Sequence, residues 1–277
     1  MLYLLLAVLS SAMVSIIMRL SGDRVKNNLS MLAVNYLICT LVAAFDAGWR
    51  LIPAGAGAQM TLAMGFIHGA CYLLSFWLLQ RNVKHNGVVL SSIFMKLGLL
   101  VPMAVSLLVF HERPALLQAA GFAFALIAIL MVNSSGERDS VGSHWGLLLL
   151  LLAGGAGDAL AKIFEELGNQ SQSGQFLLFT FLTALGLCLL LVWKNKQRFG
   201  WNELLFGALI GVPNFLSARF LLGALGELPA VIVYPTCSVG TILVVTLAGI
   251  TLFREKLTAK QWIAMMIIVV SLIFLNM

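Results

Sequence analysis

The chain has 277 residues, 61% of them hydrophobic and 10% charged, with a net charge of +6. A soluble domain carries roughly 45–50% apolar and about 25% charged residues, so a soluble enzyme, a disordered chain and a fibrous chain are excluded. A polytopic membrane protein remains, and its basic residues, which sit between apolar runs, read as topology signals facing anionic lipid rather than as a nucleic-acid site.

Ten apolar runs follow one another along the chain. They cover residues 2–19, 31–48, 60–80, 87–110, 115–133, 145–163, 175–193, 202–224, 229–252 and 259–277. Backbone groups in hydrocarbon must bond within their own segment, so each run is expected to be a helix. The first run lacks a basic leader and ends in Arg19, which reads as a retained span rather than a signal peptide. Polar joints such as SGDRVKNN, QRNVKHNG, FHERP and WKNKQRFG separate the runs, with Gly, Asn, Ser and Pro supplying the turns.

The two halves match each other. VFHERPALLQ at 109–118 aligns with LFREKLTAKQ at 252–261, a shift of 143 residues that equates Phe110 with Phe253, Glu112 with Glu255 and Gln118 with Gln261. The same shift equates Arg19 with Lys162 and Asn133 with Asn276. The expected fold is therefore all-α, with ten transmembrane helices in two five-helix repeats, residues 1–134 and 144–277. Five is odd, so the second copy enters the membrane inverted, the plan of many secondary transporters.

Orientation follows from Lys and Arg. Of the seventeen, Arg50, Arg113 and Lys162 fall in one set of joints, Lys96 and Arg219 fall inside runs, and the other twelve share the opposite set of joints. The excess predicts that the richer side is cytoplasmic and that both termini face outward.

Ionisable groups inside a span are costly and mark function by default. Lys96 in run four, Arg219 in run eight and Asp158 in run six are the candidates. One acid does not balance two bases, so the excess charge points to an anionic or zwitterionic cargo held by Lys96 and Arg219. Asp158 then sets their charge or carries a proton. His68, Tyr72 and Ser75 share one face of run three. Asn214 and Ser217 lie beside Arg219, and Tyr234 lies in run nine. His68, Tyr72, Asn214 and Tyr234 are expected to add hydrogen bonds to the cargo. Pro102, Pro213 and Pro235 each remove a backbone donor and are expected to interrupt their runs as gating kinks. Glu112 and Glu255 read as solvated partners of Arg113 and Lys256.

Cys39, Cys71, Cys188 and Cys237 all fall in apolar runs, without metal-ligand spacing, and read as small buried hydrophobes. No phosphate-binding loop, zinc-protease or serine-hydrolase motif is present, so no enzyme activity, cofactor or metal is expected.

Ten runs in two halves, each with an F-x-E-[KR] joint after its fourth run and a Gln opening its fifth, resemble the drug/metabolite transporter superfamily, most of all its EamA-type branch. The resemblance covers nearly the whole chain. It implies a bacterial cytoplasmic-membrane transporter of small metabolites, with a cavity lined by the third, fourth, eighth and ninth spans. EamA-type members usually keep both termini inside, whereas the charge distribution here puts both outside. The small multidrug-resistance relatives carry an acid in their first span, which this chain lacks.

The expected function is secondary active transport of a small metabolite by alternating access. Two other readings stand beside it. One is a flippase for a phosphorylated lipid carrier. The other is a non-transporting membrane subunit that docks or homodimerises through run ten, with its Met265 and Met266.

Overall fold

A computed structural model describes residues 1–22, 24–86, 88–133, 144–252 and 259–277. The joint at 134–143, the second F-x-E segment at 253–258 and the side chain of Gln261 lie outside the described residues. Among the described residues the regular structure is helical: α1 (Leu2–Ser21), α2 (Asn28–Asp46), α3 (Ala58–Asn86), α4 (Val88–Leu97), α5 (Leu100–Leu108), α6 (Leu116–Asn133), α7 (His144–Leu167), α8 (Ser173–Lys194), α9 (Trp201–Glu227), α10 (Ala230–Leu252) and α11 (Ala259–Leu275). A short 3-10 turn, Gln170–Gln172, leads into α8. Seven of these segments are long and apolar enough to cross a membrane, and Phe94–Leu108, Leu116–Met131 and Trp262–Leu275 are shorter apolar helices. The chain is thus an all-helical protein with the composition of a membrane protein.

The chain divides into two compact units. One holds Leu2–Leu73 and Ile163–Gly226, and is called here the α2–α8 unit after its most extensive helix pair. The other, the α6–α11 unit, holds Leu74–Lys162 and Glu227–Met277, together with Met1. Neither unit coincides with a sequence half, because each draws helices from both.

In the α2–α8 unit the start of α8 meets the end of α2, where Gly174 lies against Ala47. The thiol of Cys188, late in α8, donates to the carbonyl of Leu29, early in α2. The two helices are therefore antiparallel. Two glycine pairs set the remaining packing. Gly65 and Gly69 of α3 lie on the α8 backbone at Phe176 and Thr180. Gly207 and Gly211 of α9 lie on the α2 backbone at Met31 and Asn35. A Cβ at any of the four would overlap the facing helix. Lipid tails are as apolar as Leu, so backbone-to-backbone approach of this kind carries much of helix association in a membrane. Met31, Phe206 and Ile210 form a core here, covered by Val14, Ile17 and Met18 of α1.

In the α6–α11 unit Gly121, near the start of α6, lies against Leu275 at the end of α11. Ser271 donates to the Gly121 carbonyl at 2.8 Å, and Phe124 packs edge-on against Phe274. Met265 is buried in this unit, whereas Met266 is exposed on a face of α11 that also shows Trp262, Ile263, Val269, Val270 and Ile273.

The fourth run is not one helix. It breaks at Gly98–Leu99, between α4 and α5. Pro102 has no N–H for the carbonyl four residues earlier, which here belongs to a glycine, Gly98. The chain satisfies that carbonyl with tighter bonds instead. Val101 N–H donates to Gly98 O at 3.0 Å, and Gly98 N–H donates to Met95 O at 3.2 Å. At Pro213 and Pro235, by contrast, α9 and α10 continue as helices, each lacking only the backbone bond that proline does not make. A single lost bond inside a well-packed helix is tolerated when neighbours hold its ends. At position 98 a glycine offers no such resistance.

Candidate functional site

The break in run four positions the first cluster. Lys96 sits in the last turn of α4, where the helix dipole favours a cation. Just beyond it, Gly98 touches Gly155 of α7, and a Cβ on Gly155 would overlap the Gly98 carbonyl and Val101. This close approach brings α7 against the break, with Asp158 less than one turn further on. The charges of Lys96 and Asp158 sense each other, yet the two do not close to a direct ion pair. Among the described residues neither the Lys96 ammonium nor the Asp158 carboxylate has a hydrogen-bond partner, and both side chains are half-buried. Tyr234 ties α10 to the same place, its hydroxyl donating to the backbone carbonyl of Asp158 at 2.6 Å. The Cys237 thiol lies within electrostatic range of Asp158.

One turn along α7 from Asp158 is a pair that sequence reasoning missed. Lys162 is 1% exposed, and its ammonium lies 2.7 Å from Glu112 Oε1 and 5.8 Å from the centre of the Phe110 ring. Glu112 also accepts from the backbone N–H groups of Ala230, at 3.2 Å, and Val231, at 3.4 Å. Its carboxylate thus caps the N-terminus of α10, where both the free N–H groups and the dipole favour an anion. Glu112 is therefore not the solvated partner of Arg113 that its place in a surface joint suggests. Lys162 is likewise a buried helix residue rather than a joint residue, and it does not report topology. Gln118, the other element of the repeated motif, accepts from the Ala115 N–H at 3.0 Å and closes the first turn of α6.

The remaining candidates lie in the α2–α8 unit. Arg219 does not face an unbalanced cavity charge. Its Nε donates to Asp46 Oδ2 at 3.0 Å, with the side chains 36% and 28% exposed. Asp46 ends α2, and the parallel course of α2 and α9 brings it to Arg219. The excess positive charge expected from two bases and one acid is corrected accordingly. Asn214 belongs to a buried polar knot: its Nδ2 donates to Asn35 Oδ1 at 3.3 Å, and Cys39 donates to the Gly211 carbonyl. Ser217 and Ser11 share a hydrogen bond.

His68 is buried with its ring parallel to Phe176 at 5.2 Å, and Phe176 is stacked in turn on Phe164 at 4.1 Å. Tyr72 meets the His68 ring edge-on at 5.2 Å, which confirms that positions four apart on α3 share a face. His68 Nδ1 lies 3.1 Å from Thr180 Oγ1. The Thr180 hydroxyl donates to Phe176 O, so it accepts from His68. The network therefore fixes a proton on Nδ1. The geometry gives His68 and Asn214 roles in joining helices. Among the described residues no group of three or more His, Cys, Asp or Glu could hold a metal ion.

No family model matches the sequence. The chain is 23% identical to an uncharacterized protein of Haemophilus influenzae over 282 aligned positions, which cover 94% of this chain and 92% of that protein. It is similar in fold to a chain in a solved crystal structure, with a TM-score of 0.74, 14% identity and coverage of 99% of this chain and 94% of that one.

Proposed function

We propose that the protein is a secondary transporter that moves a small zwitterionic metabolite across the cytoplasmic membrane by alternating access. The observation that carries this reading is the Lys96–Asp158 couple at the broken helix. Two opposite charges lie within electrostatic range, without a direct ion pair and without hydrogen bonds to the described residues. Charges inside an apolar helix that lack a hydrogen-bonded partner are costly. A cargo carrying both an anionic and a cationic group would satisfy each of them. Broken helices flanking a charged site are also how many transporters bind cargo at mid-membrane. Because Asp46 neutralises Arg219, a zwitterion fits better than a simple anion.

The inverted five-span duplication is part of the proposal. It is supported by the paired glycine contacts, α3 on α8 and α9 on α2, which are counterparts under the repeat. It is supported also by the antiparallel pairing of α2 with α8, again each other's counterparts. On this reading the ten apolar segments are ten spans, and the resemblance to EamA-type transporters holds. Pro102 then marks a flexible joint beside the cargo.

Binding is testable directly. Purified protein in detergent is heated with a panel of zwitterionic, anionic, cationic and neutral metabolites. The expected result is that zwitterions raise the melting temperature of the wild type and leave Lys96→Met and Asp158→Asn unmoved. Stabilisation by lipid-linked phosphates alone would favour the flippase reading. Stabilisation by no solute class would favour a non-transporting subunit.

A further inference from the structure

The polar ends of the α2–α8 unit hold a feature that transport does not use. The joint between α1 and α2 and the joint between α8 and α9 come from opposite halves of the sequence, and they are hydrogen-bonded together. Asn27 Nδ2 donates to Arg198 O at 3.1 Å, and Asn202 Nδ2 donates to Arg24 O at 2.9 Å. Glu203 Oε1 accepts from the backbone N–H groups of Lys26, at 3.0 Å, and Asn27, at 3.1 Å.

The interlocked joints display Arg24, Lys26, Lys194, Lys196 and Arg198, all exposed. Lys196 stands in a left-handed turn, φ 51°, and its N–H donates to Trp193 O. Two acids belong to the same joints. Glu203 is buried under the backbone bonds just described, and Asp23 lies outside the described residues. A net positive surface therefore remains. Beside it stand Trp193, 81% exposed, and Trp201, 77% exposed. Trp at the ends of apolar helices settles at headgroup level, and clustered Lys and Arg at that level attract lipid phosphates.

We propose that these two joints form one binding site for the headgroup of an anionic phospholipid, with the phosphate on the basic side chains and the glycerol edge against Trp193 and Trp201. The proposal rests on the membrane character of the chain and is independent of the cargo.

The test titrates detergent-purified protein with cardiolipin, phosphatidylglycerol and phosphatidylcholine, and counts bound lipid by native mass spectrometry. The triple variant Lys194→Gln, Lys196→Gln, Arg198→Gln should lose roughly a hundredfold in cardiolipin affinity at low salt. An equal charge change elsewhere, Arg50→Gln, Arg81→Gln, Arg113→Gln, should leave affinity within about twofold. The charge-conserving triple Lys194→Arg, Lys196→Arg, Arg198→Lys should retain binding, which separates charge from any effect on folding. Equal losses in the two glutamine triples would overturn the site. So would equal binding of phosphatidylcholine. Displacement of the lipid by soluble glycerol phosphate would show a free-phosphate site instead, and would overturn the lipid assignment.

Discussion

At the scale of single residues, burial separates the charges. The Arg219–Asp46 pair is about one-third exposed, and a pair of that kind contributes about 0–1 kcal/mol. Arg219→Ala should therefore lower the melting temperature only slightly, and combining it with Asp46→Ala should add little. Lys162 is different. Removing one member of a buried pair leaves the other charged and unpaired, at a cost of about 3–5 kcal/mol. Lys162→Met should depress the melting temperature strongly in detergent, and Glu112→Gln should do so as well because it also weakens the cap on α10. The double variant should recover part of the loss, a coupling that the double-mutant comparison measures. Lys96 and Asp158 were legible in the sequence because a charge in an apolar run stands out. Lys162 was not, because Glu165 and Glu166 follow it and the stretch reads as a helix end, whereas α7 continues to Leu167. Asp46 was overlooked because it lies near the end of its run, where an acid reads as interfacial. Only the parallel course of α2 and α9 shows what it meets.

At the scale of the elements, apolar periodicity and polar joints located the helices well, since a backbone in hydrocarbon has few alternatives. What the sequence did not rank was the three prolines. Each removes one donor, but only Pro102 is preceded four positions earlier by a glycine, and only there does the helix part. Pro102→Ala restores the missing N–H and should let α4 and α5 join. The expected outcome is a higher melting temperature and, on the proposed transport function, slower counterflow in proteoliposomes. The glycine contacts give a second prediction. Gly69→Val would place side-chain atoms inside the α8 backbone and should prevent recovery of folded protein. Gly154→Ala, where a Cβ meets nothing within 4 Å, should leave recovery by size-exclusion chromatography unchanged. The repeated F-x-E…Q motif was the clearest internal match in the sequence, and its first copy proves architectural. Phe110 lies beneath Lys162, Glu112 caps α10 and Gln118 caps α6.

At the scale of the whole molecule, the proposed duplication joins the sequence shift to the packing. Glycine pairs on α3 and α9 dock on α8 and α2 in matching fashion, although the local offset departs from 143 by one or two residues, which is why the glycines escaped the ungapped alignment. With Lys162 buried, the Lys and Arg asymmetry between the two sets of joints becomes steeper. Reporter fusions at the C-terminus should therefore be active outside the cytoplasm. A cytoplasmic signal would reverse the orientation without disturbing the Lys96–Asp158 couple. The central claim is that this couple holds a zwitterionic cargo that crosses the membrane. Counterflow in proteoliposomes tests it most directly: vesicles preloaded with a zwitterionic solute should accumulate the labelled form with wild-type protein and fail to do so with Lys96→Met or Asp158→Asn. Accumulation that is equal in all three proteins, or confined to uncharged solutes, would contradict it.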